Sequence, residues 1–235
     1  HGADAESLDD AVLRVPKLLR TRDRAVTPED FETLAIEASQ GAVARSICPK
    51  QINNQPGVVS VMLVPQARTI DLNAGISPEA LSLTPQLRQQ VIAYLDERRP
   101  LGVQVKLQAP DYVGVTVKTE VAIETAYGSP EAQQAIIQDL QLALYKFLNP
   151  LTGGRDGRGW PFGTPVYPSD IITLLQGVTG VRYLGAVMLY EVRKQGDTWV
   201  RQLAPENIVR PGVLGLVCSW ADAQLRSGHT ISLVS

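Results

Sequence analysis

The hydrophobic pattern predicts four amphipathic helices, and each of them begins at a proline. Apolar residues recur three and four positions apart after Pro28, Pro85, Pro130 and Pro168, which is the spacing that places them on one helix face. Proline is favoured in the first helical turn, because no backbone amide bond is lost there. At three of these starts a Thr or Ser stands directly before the proline, where its hydroxyl can cap a free amide.

Two of the helix starts also carry an acidic residue at the third helical position. These are Thr27-Pro28-Glu29-Asp30 and Tyr167-Pro168-Ser169-Asp170. A carboxylate there can return to the backbone amide of the cap residue, as in a capping box. We therefore predict that Thr27, Asp30 and Asp170 are helix caps. Because the helix dipole favours negative charge at this end, neither aspartate needs a catalytic explanation.

Alternating and continuous apolar segments between the helices predict the strands. Val58–Val64 is almost wholly apolar, which is typical of a strand buried on both faces. Val113–Ile123 alternates between valine or isoleucine and polar residues over most of its length and is the clearest strand in the chain. Weaker strand patterns occur at residues 43–48, 103–107, 181–192, 199–200, 213–217 and 230–234. The mixture predicts an α+β fold.

A similarity within the chain predicts two related units. Residues 26–34 and 166–174 align at an offset of 166 − 26 = 140, and each segment is followed by a glycine, a valine and an arginine. Duplicated segments of this kind usually mean two similar small domains. The order of elements around them is permuted, so a strict tandem repeat is not expected. A chance match between two proline-capped helix starts is the alternative, because such starts are common.

These patterns predict two small α/β-sandwich-like units with mixed or antiparallel sheets, followed by a C-terminal β tail. The predicted segments are an N-terminal arm at 1–25, a first unit at 26–109, a second unit at 110–204 and the tail at 205–235. Because the chain begins His1-Gly2 rather than with Met, we expect the arm to lead to a missing N-terminal region.

Composition makes several classes of function poor fits. The formal net charge is −2, which gives no electrostatic footprint for nucleic acid. No apolar run approaches 18 residues, so no membrane span is predicted. Cys48 and Cys218 are far apart in the sequence and form no metal-ligand pattern. A disulfide between them stays open, although two reduced thiols are the more common outcome for such a pair.

The segment of residues 149–165 carries the most unusual local composition. It interleaves five glycines with two arginines and two large aromatic residues, which are Arg155, Arg158, Trp160 and Phe162. A phosphate-binding loop would need a strand before it and a Lys-Ser or Lys-Thr pair at its end, and both are missing. The loop can be an anion site, a partner interface, an active-site lid or a connection whose aromatic residues cover a core edge.

The inventory of reactive side chains favours a protein that is not an enzyme. The chain has two histidines, His1 at the terminus and His229, which we expect at the surface. Ser219 and His229 lack an acidic partner and the glycines of a nucleophile elbow. Histidine and cysteine spacings typical of metal sites do not occur. We predict no catalytic residue, no metal site and no cofactor.

Several motifs occur together within residues 14–192, with a weaker one at His229-Thr230. They are Arg20-Thr21-Arg22-Asp23-Arg24-Ala25-Val26-Thr27-Pro28-Glu29-Asp30-Phe31-Glu32, Pro56-Gly57-Val58, Tyr94-Leu95-Asp96-Glu97-Arg98-Arg99-Pro100-Leu101-Gly102 and Asn149-Pro150-Leu151-Thr152-Gly153-Gly154 with Gly157 and Gly159-Trp160-Pro161-Phe162-Gly163. In this order they resemble one protein family, the baseplate J-like proteins of contractile phage tails and phage-tail-like injection systems. The chain is most similar to the branch called putative baseplate assembly proteins, of which it resembles the C-terminal portion.

The resemblance implies a structural wedge component of a six-fold baseplate, assembled around a hub and spike and beneath a sheath. It implies no cofactor and no turnover. Expected partners are other wedge proteins, including a second copy or a paralogue, and hub and sheath-proximal baseplate proteins. It also implies assembly in the cytoplasm and then a place in the phage tail or extracellular particle. We expect Arg155, Arg158, Trp160 and Phe162 to form a partner interface. The alternative is an enzyme or ligand-binding module that uses this loop.

Overall fold

The computed structural model describes residues 24–49, 56–67, 71 and 73–234. It divides into two compact units. Within the described residues, unit 1 comprises 24–66 and 82–109, and unit 2 comprises 67–81 and 110–234. Almost all of the predicted N-terminal arm lies outside the described residues.

Unit 1 packs two helices against a small mixed sheet. Its elements, in chain order, are α1 (Pro28–Ala38), β1 (Val43–Ile47), β2 (Val58–Pro65), α2 (Pro85–Asp96) and β3 (Gln104–Gln108). The sheet order is β1-β2-β3. β1 is antiparallel to β2, and β2 is parallel to β3. The parallel pair requires a crossover, which α2 provides.

The core of unit 1 consists of the apolar stripes of both helices and the sheet. Phe31 and Leu34 of α1 and Val91 and Leu95 of α2 are almost completely buried, and they pack with Val61 of β2. Most of β2 is buried, as its nearly continuous apolar sequence predicts.

Unit 2 is built around one long strand. Its elements are β4 (Asp111–Ile123), α3 (Pro130–Phe147), α4 (Pro168–Gln176), β5 (Val181–Leu184), β6 (Met188–Gln195), β7 (Thr198–Leu203), β8 (Gly215–Cys218) and β9 (Thr230–Leu233). Short 3₁₀ turns occur at Pro78–Leu81, Thr125–Tyr127 and Pro205–Asn207. β4 is hydrogen-bonded to β5, β6, β8 and β9, and β6 continues to β7.

The register shows how four strands share the two edges of β4. Lys118 pairs with both β6 and β9, Val121 pairs with both β5 and β9, and Gly114 pairs with both β6 and β8. Because a strand has only two edges, β5 and β6 must lie along one edge, while β8 and β9 lie along the other. β5 and β6 are antiparallel to β4, and β8 and β9 are parallel to it.

The two faces of β4 are covered by different groups. Val113, Val115, Val117 and Val121 face the main core of the unit, which includes buried residues of α3 and α4. On the other face, a Cβ at Gly114 would lie 2.5 Å from the Trp220 ring, so only glycine leaves room for the indole. The alternation of side chains along β4 therefore separates the main core from a small cluster that contains Trp220 and Trp199.

The α+β fold class predicted from the sequence is confirmed. The single strand expected at 181–192 is divided into β5 and β6. Leu184 pairs with Val121 and Met188 pairs with Lys118, so four residues of advance on one strand match three on β4. The extra residue interrupts the strand, as in a β-bulge. β8 and β9, which lie in the predicted C-terminal β tail, pair with β4 in the sheet of unit 2. The sequence-based domain limits and the duplication of the two units stay predictions.

Candidate functional site in the glycine-rich loop

Asn149 organises the start of the glycine-rich loop. Its buried side-chain oxygen accepts hydrogen bonds from the amides of Leu151 at 2.8 Å and Thr152 at 3.1 Å. Its backbone oxygen accepts from the amides of Gly153 at 3.0 Å and Trp160 at 3.1 Å. One residue therefore turns the chain after α3 and also closes the loop, since it holds two positions that are seven residues apart.

The loop returns so close to the end of α3 that a side chain at Gly153 would not fit. A Cβ at Gly153 would lie 2.4 Å from the carbonyl oxygen of Phe147. The amide of Gly154 donates to the same carbonyl at 2.8 Å, and Gly154 has a φ of 78°. The glycines at these two positions thus serve close backbone approach and a left-handed turn.

Trp160 anchors the loop in the core. The residue is 4% exposed, and its indole nitrogen donates to the carbonyl of Thr164 at 2.9 Å. Its ring meets Phe147 edge to face at 5.2 Å between centroids. The indole therefore holds the loop in place, and the partner role expected for Trp160 stays a prediction. Phe162 is half-buried.

The two arginines lie on the exposed part of the loop, which runs from Arg155 to Arg158. Arg155 donates to Asp170 at 2.7 Å, with its side chain 84% exposed and that of Asp170 11% exposed. Asp170 also accepts from the backbone amide of Tyr167 at 3.1 Å, which ties the loop to the first turn of α4. Within the described residues the Arg158 guanidinium has no ion-pair partner.

A cleft of about 480 Å³ lies beside this loop within unit 2. Its walls combine an arginine, two aspartates, two aromatic residues and two prolines, together with Gly154 and Thr164. The lining residues are Gly154, Arg155, Asp156, Trp160, Pro161, Thr164, Pro165, Tyr167 and Asp170. The structure thus brings Arg155, Trp160 and Asp170 of the sequence-predicted set to one cleft.

Sequence reasoning missed Tyr167 and the prolines of this cleft. Tyr167 is 43% exposed and occupies the cap position of α4, where its hydroxyl makes no capping bond. A signal for it was present, since the other three helix starts have a Thr or Ser at that position. A large aromatic residue at a cap position indicates a role other than capping.

The other helix-cap residues form the bonds that their chemistry allows. Thr27 accepts through its hydroxyl from the amide of Asp30 at 3.2 Å, and Asp30 accepts from the amides of Thr27 at 2.8 Å and Val26 at 3.0 Å. This reciprocal pattern is a capping box at α1.

A second polar cluster fills the gap between β8 and β9 along one edge of β4. β8 ends opposite Gly114 and β9 begins opposite Lys118, so the backbone between them lacks a strand partner on that edge. There His229 Nδ1 accepts from the amide of Val117 at 3.1 Å, and the Ser219 hydroxyl donates to the carbonyl of Val115 at 2.9 Å. These side chains therefore satisfy groups that a continuous strand would have satisfied.

The hydrogen bonds also fix the roles of Ser219 and His229. Since Nδ1 of His229 is an acceptor, Nε2 carries the proton and donates to the Ser219 oxygen at 3.0 Å. His229 cannot take a proton from Ser219 in this arrangement, as a general base must. His229 is 5% exposed, which corrects the expectation of a surface residue, and burial lowers the pKa of its imidazole to about 3.

Neither cysteine has the environment of a reactive thiol. Both are buried and free, with Cys48 in unit 1 and Cys218 in unit 2. Burial raises the pKa of Cys48 to about 12, with added repulsion from Glu32 and Glu29. Burial also raises the pKa of Cys218. A thiol is nucleophilic only as the thiolate, which these environments disfavour.

Metal-binding clusters and membrane-spanning helices are both absent from the part of the chain that the structure describes. In it, no three His, Cys, Asp or Glu residues are grouped so that they could hold a metal ion. None of its helices has the length and apolar character needed to cross a membrane.

The fold is similar to that of a chain in a solved baseplate structure. That structure is described as the cryo-EM structure of the anti-feeding prophage (AFP) baseplate, 6-fold symmetrised. The TM-score is 0.53 at 15% sequence identity, and the match covers 97% of this chain but 42% of the other. No family model matches the sequence, and no curated protein matches it. At this identity the likeness shows a shared fold.

Proposed function

We propose that this chain is a structural component of the baseplate of a contractile injection system, with the place of a wedge protein. The observation that carries the proposal is the fold match to a baseplate chain over 97% of this sequence. The resemblance of the sequence motifs to baseplate J-like proteins supports the same role independently. Its partners would be neighbouring baseplate proteins around the hub and beneath the sheath, and assembly would take place in the cytoplasm before the protein joins the particle.

The glycine-rich loop is the proposed assembly contact. Arg155 and Arg158 carry planar guanidinium groups suited to carboxylates on a neighbour, and both residues are exposed. The segment that presents them is fixed by Asn149 on one side and Trp160 on the other. Such a fixed loop loses little conformational entropy when it binds, which favours an interface. Phe162 adds apolar surface at its side.

A structural role also fits the chemistry of the Ser219–His229 pair. The buried hydroxyl of Ser219 and the imidazole of His229 serve backbone groups of β4. Two of the residues that line the cleft, Arg155 and Tyr167, are of types enriched at protein interfaces. We therefore propose a protein that binds and holds its neighbours and performs no turnover.

The test is the triple variant Arg155→Ala, Arg158→Ala and Phe162→Ala, expressed in place of the native chain in cells that produce the particles. The isolated variant should keep its circular dichroism spectrum and lose less stability than a core substitution would, because the two arginines lie on the surface and Phe162 is half-buried. Purified particles should lack complete baseplates in electron micrographs. A matched control removes two exposed cations elsewhere, with Arg182→Ala and Lys194→Ala. Normal baseplates in the triple variant would refute the loop contact.

A further inference from the structure

The last strand of the unit 2 sheet, β7, has one open edge. It is hydrogen-bonded to β6 along its other edge, and among the described residues no further strand pairs with it. A strand edge of this kind presents a row of backbone donors and acceptors that another extended chain can complete. The residues that supply these groups follow from the register.

The even-numbered residues of β7 bond to β6. The two-residue turn at 196–197 pairs Gln195 with Thr198, and just past the strand the amide of Ala204 donates to the carbonyl of Leu189 at 2.9 Å. Because bonding groups alternate along a strand, the amides and carbonyls of the odd-numbered residues face the other way. The open edge is therefore formed by the backbone of residues 199, 201 and 203.

The corresponding edge in unit 1 is protected. β3 is the last strand of that sheet, and the amide of Gln104 donates toward β2, so the odd-numbered residues of β3 face outward. Two of their carbonyls, those of Val103 and Leu107, accept from the guanidinium groups of Arg99 and Arg88. Charged side chains that occupy an edge keep other strands away. In the part of the chain that the structure describes, no side chain bonds to the outward groups of β7.

The side chains of the three outward residues lie on one face of the sheet, since side chains alternate along a strand. Trp199 is half-buried and held in place: its indole nitrogen donates to Glu79 at 2.7 Å, and its ring meets Trp220 edge to face at 5.6 Å between centroids. Leu203 is 52% exposed. The edge thus offers an apolar residue near each end and Arg201 between them.

Arg201 has no carboxylate partner within the described residues. Its guanidinium carbon lies 3.7 Å from the centroid of the Tyr190 ring, and its Nε is shielded from solvent but donates to no acceptor there. The carboxylate of the neighbouring strand, Glu191, is engaged by Arg193 at 2.9 Å and by Gln202 at 2.7 Å. An arginine that is fixed on an aromatic ring and lacks an acceptor is suited to bind an incoming carboxylate.

We propose that β7 binds an extended segment of a partner protein, which adds a strand along this edge. The segment would carry an Asp or Glu opposite Arg201 and an apolar residue two positions to each side, opposite Trp199 and Leu203. Backbone hydrogen bonds would supply the affinity, and the alternate side chains would supply the specificity. The inference stands on the geometry of β7 and does not rest on the glycine-rich loop or on the proposed place in a baseplate.

A second copy of the chain is a poorer occupant of this edge. Antiparallel pairing of β7 with another β7 over all three outward residues places Arg201 directly opposite its own copy. Like charges in that position are destabilising, and neither arginine would gain an acceptor. An acidic strand from a different protein removes both problems.

Hydrogen exchange followed by NMR tests whether the edge is open. In the full 235-residue chain the amides of Trp199, Arg201 and Leu203 should exchange rapidly, while those of Val200 and Gln202 exchange slowly because they bond to β6. Slow exchange of the first three in dilute chain would show that the edge is already paired. If their exchange slows only as the chain concentration rises, a second copy occupies the edge. Either result overturns the proposal.

The binding probe is a synthetic threonine-rich peptide of about nine residues, a length sufficient for one strand. It has a glutamate at its centre and a valine two positions to each side. By fluorescence anisotropy, the dye-labelled peptide should bind the full chain with a dissociation constant below about 1 mM. It should also slow exchange of the three outward amides. The same peptide with N-methylated backbone amides should not bind, because it lacks the donors that a strand needs.

Variants of the chain test the acidic specificity. Arg201→Glu, with its fold checked by circular dichroism, should weaken binding at least about tenfold, and a lysine-centred peptide should bind this variant better than it binds the wild-type chain. Arg182→Glu is the matched control, because Arg182 is an exposed arginine on β5, and it should leave the dissociation constant unchanged. No binding to the wild-type chain at about 1 mM peptide, or equal binding by Arg201→Glu, would refute the proposal.

Discussion

Two turns of similar sequence place their leucines in opposite environments, one exposed and one buried. Residues 99–102 follow α2 and residues 149–153 follow α3, and each has a Pro-Leu pair with a glycine shortly after it. Leu101 in the first is fully exposed, whereas Leu151 in the second is 9% exposed. The local pattern ends a helix in both places, and the surroundings decide whether the leucine is buried or exposed.

The difference comes from the path that the chain takes after each turn. After Gly102 the chain enters β3 directly, and Leu101 stays exposed. After Leu151 the chain runs through the glycine-rich loop and returns, with Trp160 hydrogen-bonded to Asn149 and packed on Phe147. A long loop that is anchored at its far end creates an interior for the leucine, and a direct connection does not.

The largest effect is expected for Trp160→Ala, which removes the anchor of the glycine-rich loop. Loss of a buried indole should lower the free energy of unfolding by about 3–5 kcal/mol, since it removes burial and leaves a cavity. Denaturant unfolding followed by circular dichroism measures the loss. A decrease of less than about 1 kcal/mol would contradict the role of Trp160 as the anchor of the loop.

The two leucines provide a matched pair of variants. Leu151→Ala should cost about 2–5 kcal/mol of unfolding free energy, because a nearly buried side chain is removed. Leu101→Ala should change it by no more than about 0.5 kcal/mol, as is usual for surface substitutions. Thermal denaturation of the two variants side by side measures both. Equal effects would refute the contrast between the turns.

The two units should also differ in their response to acid. His229 in unit 2 has a folded pKa of about 3, below the value of 6.5 for an unfolded histidine. Between these values the unfolded chain binds the proton and the folded chain does not, so stability falls as the pH falls from 6.5 toward 3. The slope from this group is about 1.4 kcal/mol per pH unit.

Tryptophan fluorescence measures this response in unit 2 alone, because Trp160, Trp199 and Trp220 are the three tryptophans of the chain and all lie there. His229→Gln is the control. In this variant the denaturation midpoint should change less with pH between 6.5 and 3 than in the wild-type chain, although the variant is less stable at neutral pH. An unchanged dependence would show that other groups cause it.

The helix starts give the smallest expected difference. Thr27→Ala removes a capping hydroxyl from α1 and should cost about 0.5–2 kcal/mol. Tyr167→Phe removes the hydroxyl from the equivalent position of α4, where it makes no capping bond, and should change stability by less than about 0.5 kcal/mol. Hydrogen exchange at the amides of each helix, measured by mass spectrometry, follows both changes.

The sequence was sufficient for the four helices, for most of the strands and for the fold class. Helix starts follow from a proline and a capping residue within four positions, and strands follow from alternation or from a short apolar run such as 58–64. These signals are local, because they depend on backbone geometry and on which face of an element meets the core. They placed the glycine-rich loop between α3 and α4 and drew attention to Arg155, Arg158, Trp160 and Phe162.

The tertiary structure alone decided what those residues do. It buried Trp160, left Arg155 exposed beside a cleft and exposed Leu101 while it buried Leu151. It also placed Ser219 and His229 at a gap in a strand edge, although they are ten residues apart in a segment with no strong local pattern. Burial and hydrogen-bond partners depend on residues distant in the chain, and the sequence pattern around one position contains no record of them.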